Sequence, residues 1–257
     1  GIGPALAREL DLLLEERRRR QLGDGGTVIP ARVPASRFKD YVDDAAAVAA
    51  ELRRPMPQRP YRATRLGTLF HRWVEHRVAG EGEAEAIDAL DGPALDEALW
   101  GDTDQPGQHL DDPTPERLRE LQATFARSEW GARKPEAVEL ELHLPIGEHV
   151  FVCKLDAVYA VDPSSELGRR GIRYQVVDWK TGKAPRDARD LELKQTQLAL
   201  YRLPYASWAG IDAEAIDACF YFVEDDRVIR PEAISGADDL RRAWSDAVRV
   251  AAGAAPA

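Results

Sequence analysis

At 257 residues, 44% hydrophobic and 31% charged, the chain is long enough to bury a full core, as one large domain or one domain with appendages. No apolar run approaches the roughly 20 residues of a membrane span, and with the charged segment Glu15 to Arg20 inside it the first apolar helix is not expected to be a signal peptide. The net charge of −10 argues against a nucleic-acid partner until its distribution is examined: residues 81–116 carry twelve acidic side chains and no Lys or Arg, which leaves 33 acidic against 35 basic residues elsewhere.

In chain order, residues 3 to 21 read as a helix, with Leu6, Leu10, Leu13 and Leu14 at helical spacing and Arg17 to Arg20 suited to its C-terminal dipole. Gly23, Gly25 and Gly26 break it. Thr27 to Val33 is a candidate short strand, limited by Pro30 and Pro34 to an edge or an extended segment. Ser36 is a candidate N-cap for a second helix running to about Arg54, and Pro55, Pro57 and Pro60 form a stiff connector. A third helix begins near Arg62, with Leu66, Leu69, Phe70, Trp73, Val74 and Val78 on one apolar face. Next comes an acidic insertion, whose Gly, Pro and Asp content predicts loops around a short helix. Thr114 to Ser128 predicts another helix, capped by Thr114 and turning Leu118, Leu121 and Phe125 inward.

From Ala137 the period changes to two. Val138, Leu140, Leu142 and Leu144 alternate with Glu139, Glu141 and His143, the pattern of a half-buried strand. Gly147 marks a turn before strands at 149–161 and 172–180. A helix follows at Leu191 to Tyr205, then a strand at Ala218 to Val223 and a closing helix at Leu240 to Ala252. This order predicts an α/β or α+β fold with a central mixed sheet flanked by helices. The Trp residues are expected to lie mostly in the core. His76, His109, His143 and His149 are expected to be surface or structural residues. Cys153 and Cys219, both in strand-like runs, are expected to be buried thiols in a reducing cytoplasm; two cysteines are too few for an iron–sulfur cluster or an all-Cys zinc site. The chain opens with Gly1 and contains one Met, Met56, so it is expected to be part of a longer polypeptide.

The chemistry concentrates in Tyr-Gln-Val-Val-Asp-Trp-Lys-Thr-Gly, residues 174–182. On a strand, Asp178 and Lys180 project side by side from one face. The preceding run, Phe-Val-Cys-Lys-Leu-Asp-Ala-Val-Tyr, supplies a second carboxylate, Asp156. Two strand-borne Asp with a Lys suit a hard divalent cation held against a phosphodiester, with a water activated beside it. Gly67 and His71 share a helix face, as do Gln197 and Tyr201. Taken alone, Asp178 and Lys180 also fit a surface ion pair, Tyr201 a core position, and Glu141 is as acidic a neighbour as Glu139. Trp179 points opposite Asp178, which favours packing over stacking on a base.

Gly-Thr-Leu-Phe-His at 67–71, Glu139 on the strand leading to Leu-Pro-Ile at 144–146, Lys-Leu-Asp-Ala-Val at 154–158, Asp-Trp-Lys-Thr-Gly at 178–182 and Gln-Leu-Ala-Leu-Tyr at 197–201 together resemble the motif series of the RecB-like nuclease domain. That domain belongs to the PD-(D/E)XK superfamily, and the resemblance spans roughly residues 60 to 225. Segments 5–21 and 34–57 further resemble actinobacterial helicase–nuclease subunits of the Adn type (UvrD/RecB-like). One departure is Cys153, which stands where the family usually has glycine.

The resemblance implies a restriction-endonuclease-like fold and a DNA nuclease, an exonuclease or endonuclease, coupled to a helicase motor in double-strand break repair and recombination. It implies His71, Glu139, Asp156 and Asp178 as metal ligands for one or two Mg2+ or Mn2+ ions, and no iron–sulfur cluster. Lys180 would position or deprotonate the attacking water, and Gln197 and Tyr201 would brace the site. The implied partners are DNA, chiefly single-stranded, a motor in the same polypeptide and a heterodimeric partner subunit, with no membrane. No GxxxxGK[ST] loop occurs here, so the motor would lie outside this sequence. The implied organisation is a helical segment from the helicase region at 1–25, a connector and helix at 26–60, the nuclease domain at 61–252 with an acidic insertion at 80–116, and a frayed tail at 253–257. The alternative is a non-catalytic DNA-binding scaffold of the same fold; a stand-alone restriction or structure-specific endonuclease would share the chemistry and differ in partner.

Overall fold

The computed structural model describes residues 3–22, 29–53, 62–80, 114–185, 188–231 and 234–252. The connector at 55–60, most of the acidic insertion with Trp100 and His109, and the tail at 253–257 lie outside them. Chain order runs α1 Pro4–Leu22, β1 Arg32–Pro34, a 3-10 turn Ala35–Arg37, α2 Phe38–Arg53, α3 Arg62–Ala79, α4 Thr114–Arg127, α5 Glu129–Ala132, β2 Ala137–Ile146 and β3 His149–Ala160. It continues with α6 Glu166–Arg169, β4 Tyr174–Lys180, α7 Ala188–Ala209, β5 Ile216–Phe222, β6 Arg227–Ile229 and α8 Ala237–Ala251.

The expected mixed sheet is present, with six strands among the described residues. β3 is its longest strand. It pairs antiparallel with β2 along one edge; along the other it pairs with β1 (parallel, Val150 to Val152) and then with β4 (antiparallel, Ala157 to Ala160). β4 continues to β5 in parallel, and β6 closes the far side. Helices cover both faces. α2, α7 and α8 pack on one with Phe151, Cys153, Leu155, Val176 and Phe220; α3, α4 and α5 pack on the other with Ala157, Tyr159, Val177, Trp179 and Tyr221. Gly147 turns the β2–β3 hairpin with φ +61°, a left-handed angle that glycine adopts without strain.

The period-two reading of β2 needs correction. Leu140, Leu142 and Leu144 pack on the first face, but Val138 packs on the second. β3 changes parity in step: odd residues through Leu155 face the first layer, then Val158 does. The change falls at Glu139 and Asp156, the one opposed pair missing from the β2–β3 register. Glu139 has φ +51°, a left-handed angle that is strained for a residue with a Cβ.

Three further expectations shift. Ser36 sits inside the 3-10 turn and does not cap α2, which starts at Phe38 because that ring is fully buried against Phe151 and Trp244. Leu6, Leu10, Leu13 and Leu14 of α1 are exposed, Leu6 by 57% and Leu14 by 54%, while Glu9 is buried. α1 docks through charge: Glu9 meets Arg32 Nε at 2.5 Å and His143 Nδ1 at 3.0 Å. Trp73, Trp130, Trp179 and Trp244 are core residues as expected, but Trp208 is 63% exposed at the end of α7. Both cysteines are buried thiols, and among the described residues no helix is long and apolar enough to cross a membrane.

Phe151 is the keystone of the first layer, its ring 5.4 Å from Phe38 and 4.7 Å from Trp244. Phe151→Ala is expected to cost about 3–5 kcal/mol of stability, read from the urea unfolding midpoint. A loss under about 1 kcal/mol would mean that the site collapses without leaving a cavity.

Candidate active site

The parity change on β2 and β3 builds the site. Beyond Val177, β4 diverges from β3 and the ladder stops. Asp156 fills the fork: its Oδ2 accepts the Trp179 backbone N–H at 2.7 Å. Its Oδ1 faces the other way, 3.4 Å from His71 Nδ1. The same nitrogen lies 3.2 Å from Glu139 Oε1. His71, Glu139 and Asp156, from α3, β2 and β3, thus offer three donor atoms within 4.8 Å of one another. The Trp179 ring, 6.0 Å from the imidazole and edge-on to Phe125, backs His71 from the core, so Trp179 is packed as expected.

Asp178 and Lys180 lie on the other side of the fork, on the face covered by α7. Asp178 is 2% exposed. Its Oδ1 accepts from Gln197 Nε2 at 3.2 Å, and Gln197 Nε2 also lies 2.5 Å from the Tyr201 hydroxyl. Lys180 Nζ is 2.5 Å from Asp178 Oδ2, yet that oxygen accepts no hydrogen bond of adequate geometry. The pair is therefore close but poorly directed. The structure brings the proposed ligands together as a triad, with Asp178 outside it and tied to Lys180.

Electrostatics separate the groups. Burial alone would lower the His71 imidazole, but hydrogen bonds and charge from Asp156 and Glu139 outweigh it and raise it to about 10. Burial opposes ionisation of Glu139, but His71 and Lys154 hold its carboxyl below the usual range. Burial pushes Asp178 up to about 6; Lys180 opposes the rise and the nearby Asp156 charge adds to it. Burial works against the Lys180 ammonium, but Asp178 outweighs it and keeps the amine above its usual value. Tyr201 is pushed well up, first by burial and then by the two Asp charges, so it stays a neutral phenol.

The triad opens into a cleft of about 660 Å³ lined by Gly67, Thr68, His71, Arg72, Glu75, His76, Glu139, Lys154 and Asp156. A methyl added at Gly67 would meet only Thr181 Oγ1, at 3.6 Å, so the protein's own packing does not require glycine there. Composition makes Glu141 as acidic a neighbour as Glu139, and only the resemblance favours Glu139. The structure separates them: Glu141 is exposed and bonds His143 Nε2 at 3.1 Å, because the backbone reversal at Glu139 turns only that carboxylate to His71. Lys154, which pairs with Glu139, was missed, as were Arg72 and Glu75. The available signals were Glu75 one turn beyond His71 and Lys154 two residues before Asp156 on one strand. His143 and His149 are structural, the latter bonded to Trp244 Nε1 at 3.2 Å, whereas His76 lines the cleft.

The chain belongs to the PD-(D/E)XK nuclease superfamily, whose family model matches residues 43–256. No curated protein matches it. Among solved structures, a "Putative exonuclease" from Eubacterium rectale aligns with a TM-score of 0.52 at 12% identity, over 88% of this chain and 83% of that one. At that identity the likeness is one of fold, and the sheet with its two helical layers is restriction-endonuclease-like. The structure of SSO0001, at 14% identity over 82% and 85% of the two chains, has a TM-score of 0.32 and is too distant to bear on the fold.

Proposed function

We propose that this chain is a DNA nuclease domain that hydrolyses phosphodiester bonds with Mg2+ or Mn2+. The observation that carries this reading is the convergence of His71, Glu139 and Asp156 beside the Asp178–Lys180 pair, in a chain of this superfamily. The donor set fits such an ion: carboxylate oxygens suit Mg2+ or Mn2+, and one imidazole favours Mn2+. The bound ion would polarise the phosphoryl oxygen and lower the pKa of its water.

The protein's own groups do the rest. His71, Glu139 and Asp156 would hold the ion, and Asp178, across the fork, would be a further carboxylate for it. Lys180, held as an ammonium, orients the attacking water and offsets charge on the phosphorane, a safer role than base. Gln197 and Tyr201 fix the Asp178 carboxylate from α7. The cleft beyond the triad, with Arg72 and Lys154 on its wall, receives the sugar–phosphate backbone.

The same reading makes residues 61–252 the nuclease unit, 1–25 and 26–60 its approach from a helicase motor in the same polypeptide, and 80–116 an insertion. That coupling, with single strands as substrate, a partner subunit and a role in double-strand break repair, is supported by the resemblance of segments 5–21 and 34–57.

The test is cleavage of end-labelled single- and double-stranded DNA with Mn2+, Mg2+ or EDTA. Cleavage is expected with either ion, faster on single strands, and none with EDTA. Mn2+ at 100 times its Kd is expected to add about 2.7 kcal/mol of stability, raising Tm by roughly 5–10 °C in a chain of this size. Cleavage in EDTA, or the absence of both cleavage and a Tm shift, overturns the reading.

A further inference from the structure

We propose that the Lys154 ammonium takes the place of a second divalent cation on Glu139, so that the centre holds one ion. This rests on the metal-binding reading of the triad. A carboxylate that bridges two cations gives one oxygen to each. Glu139 Oε1 faces His71 Nδ1 at 3.2 Å, on the triad side. Its other oxygen, Oε2, is already ion-paired with Lys154.

The backbone keeps Lys154 there. Lys154 lies opposite Glu141 in the β2–β3 register, two positions from the ladder break that turns Glu139 toward it. The left-handed backbone at Glu139 and the burial of its side chain (9% exposed) deny the carboxylate an easy swing outward. Lys154 is itself 62% exposed, so its ammonium is held by the pairing and not by burial. Glu75 lines the same wall of the cleft and adds to the negative field around it.

Charge points the same way. The cleft and the adjoining pair set four carboxylates (Glu75, Glu139, Asp156, Asp178) against three fixed cations (Arg72, Lys154, Lys180). With His71 as a neutral ligand, its proton displaced by the ion, the protein groups sum to −1. One dication makes the centre +1, enough to attract a phosphodiester; a second would make it +3, with Glu75 the one cleft carboxylate outside the triad and the Asp178–Lys180 pair. Removing the Lys154 charge leaves −2 and frees an oxygen of Glu139.

The test is a Mn2+ titration of the purified chain, with unbound ion counted by its paramagnetic resonance signal. The native chain is expected to saturate at one ion. Lys154→Met, which keeps the length of the side chain, is expected to bind a second ion at least about tenfold more tightly than the native chain does. Lys154→Arg should stay at one ion. Tm without metal verifies that each variant is folded. Two ions on the native chain overturn the proposal and leave the nuclease reading intact. So does a Lys154→Met variant that weakens the first ion without gaining a second, since Lys154 would then only brace Glu139. No ion on the native chain overturns both.

Discussion

Asp178→Asn is expected to lower metal-dependent DNA cleavage by at least roughly 10³-fold, about 4 kcal/mol of transition-state stabilisation. The metal-free protein should unfold within a few degrees of the native chain, because relief of the buried Asp178 charge and loss of the Lys180 counter-charge oppose each other. The two outcomes belong together because the carboxylate is buried, its pKa is raised from 3.8 to about 6, and Oδ2 receives no well-directed hydrogen bond. A raised acid binds its proton more tightly in the folded state than in the unfolded one. Its ionisation therefore removes folding stability as pH rises through about 4 to 6, and the cost persists at neutral pH. Asn has the shape of the acid without that cost, although Lys180 loses its counter-charge. A variant as stable as the native chain without the ion but inactive is the signature of a group kept for function and not for stability. Single-turnover cleavage and a thermal melt in EDTA check both parts. If Asp178→Asn melts well below the native chain, Asp178 is a structural ion-pair partner and its catalytic role loses this support.

The apparent Mn2+ affinity is expected to rise about tenfold per pH unit between pH 7 and 9, close to 100-fold in all. In the metal-free protein Nδ1 of His71 faces two carboxylates, which hold the imidazolium to about 10. A ligand nitrogen must lose that proton, so each ion bound at pH 8 should release close to one proton. Calorimetry in two buffers of different ionisation enthalpy measures the release directly. For stability the sign is opposite. A histidine raised from 6.5 to about 10 contributes stability that is fully present below 6.5 and is lost as pH rises through 10. The metal-free chain should therefore soften in alkali while the Mn2+-loaded chain does not. An affinity flat from pH 7 to 9 would mean that His71 binds no metal or carries no proton to displace.

Much of this was legible in the chain itself. The apolar face Leu66 to Val78 specifies α3 and with it the placement of His71, because a 3.6-residue period has one way to bury that stripe. The β-branched run before Asp178 specifies β4, and the two-residue period places Asp178 and Lys180 together. Boundaries were less legible. α7 begins at Ala188 and α8 at Ala237, and β6 carried no signal beyond Val-Ile, because three residues are too few for a period to show. Ser36 looked like a cap, but burial of Phe38 governs where α2 starts. The leucines of α1 looked like a buried face, but Glu9, held by Arg32 and His143 from β1 and β2, decides which side docks.

The sequence by itself determined the residue types of the centre, their order and the elements that carry them, because each motif is read within one helix or strand. Only the tertiary structure decided how they meet. The parity change at Glu139 and Asp156 depends on the β2–β3 ladder losing one rung, with its register kept, while β4 leaves β3. That event turns Glu139 away from Glu141, aims Asp156 at both His71 and the Trp179 amide, and leaves Asp178 with Lys180 across the fork. It also brings Lys154 onto Glu139. Local periodicity carries no information about a break shared by two strands, because the interactions that favour it lie between residues distant in sequence.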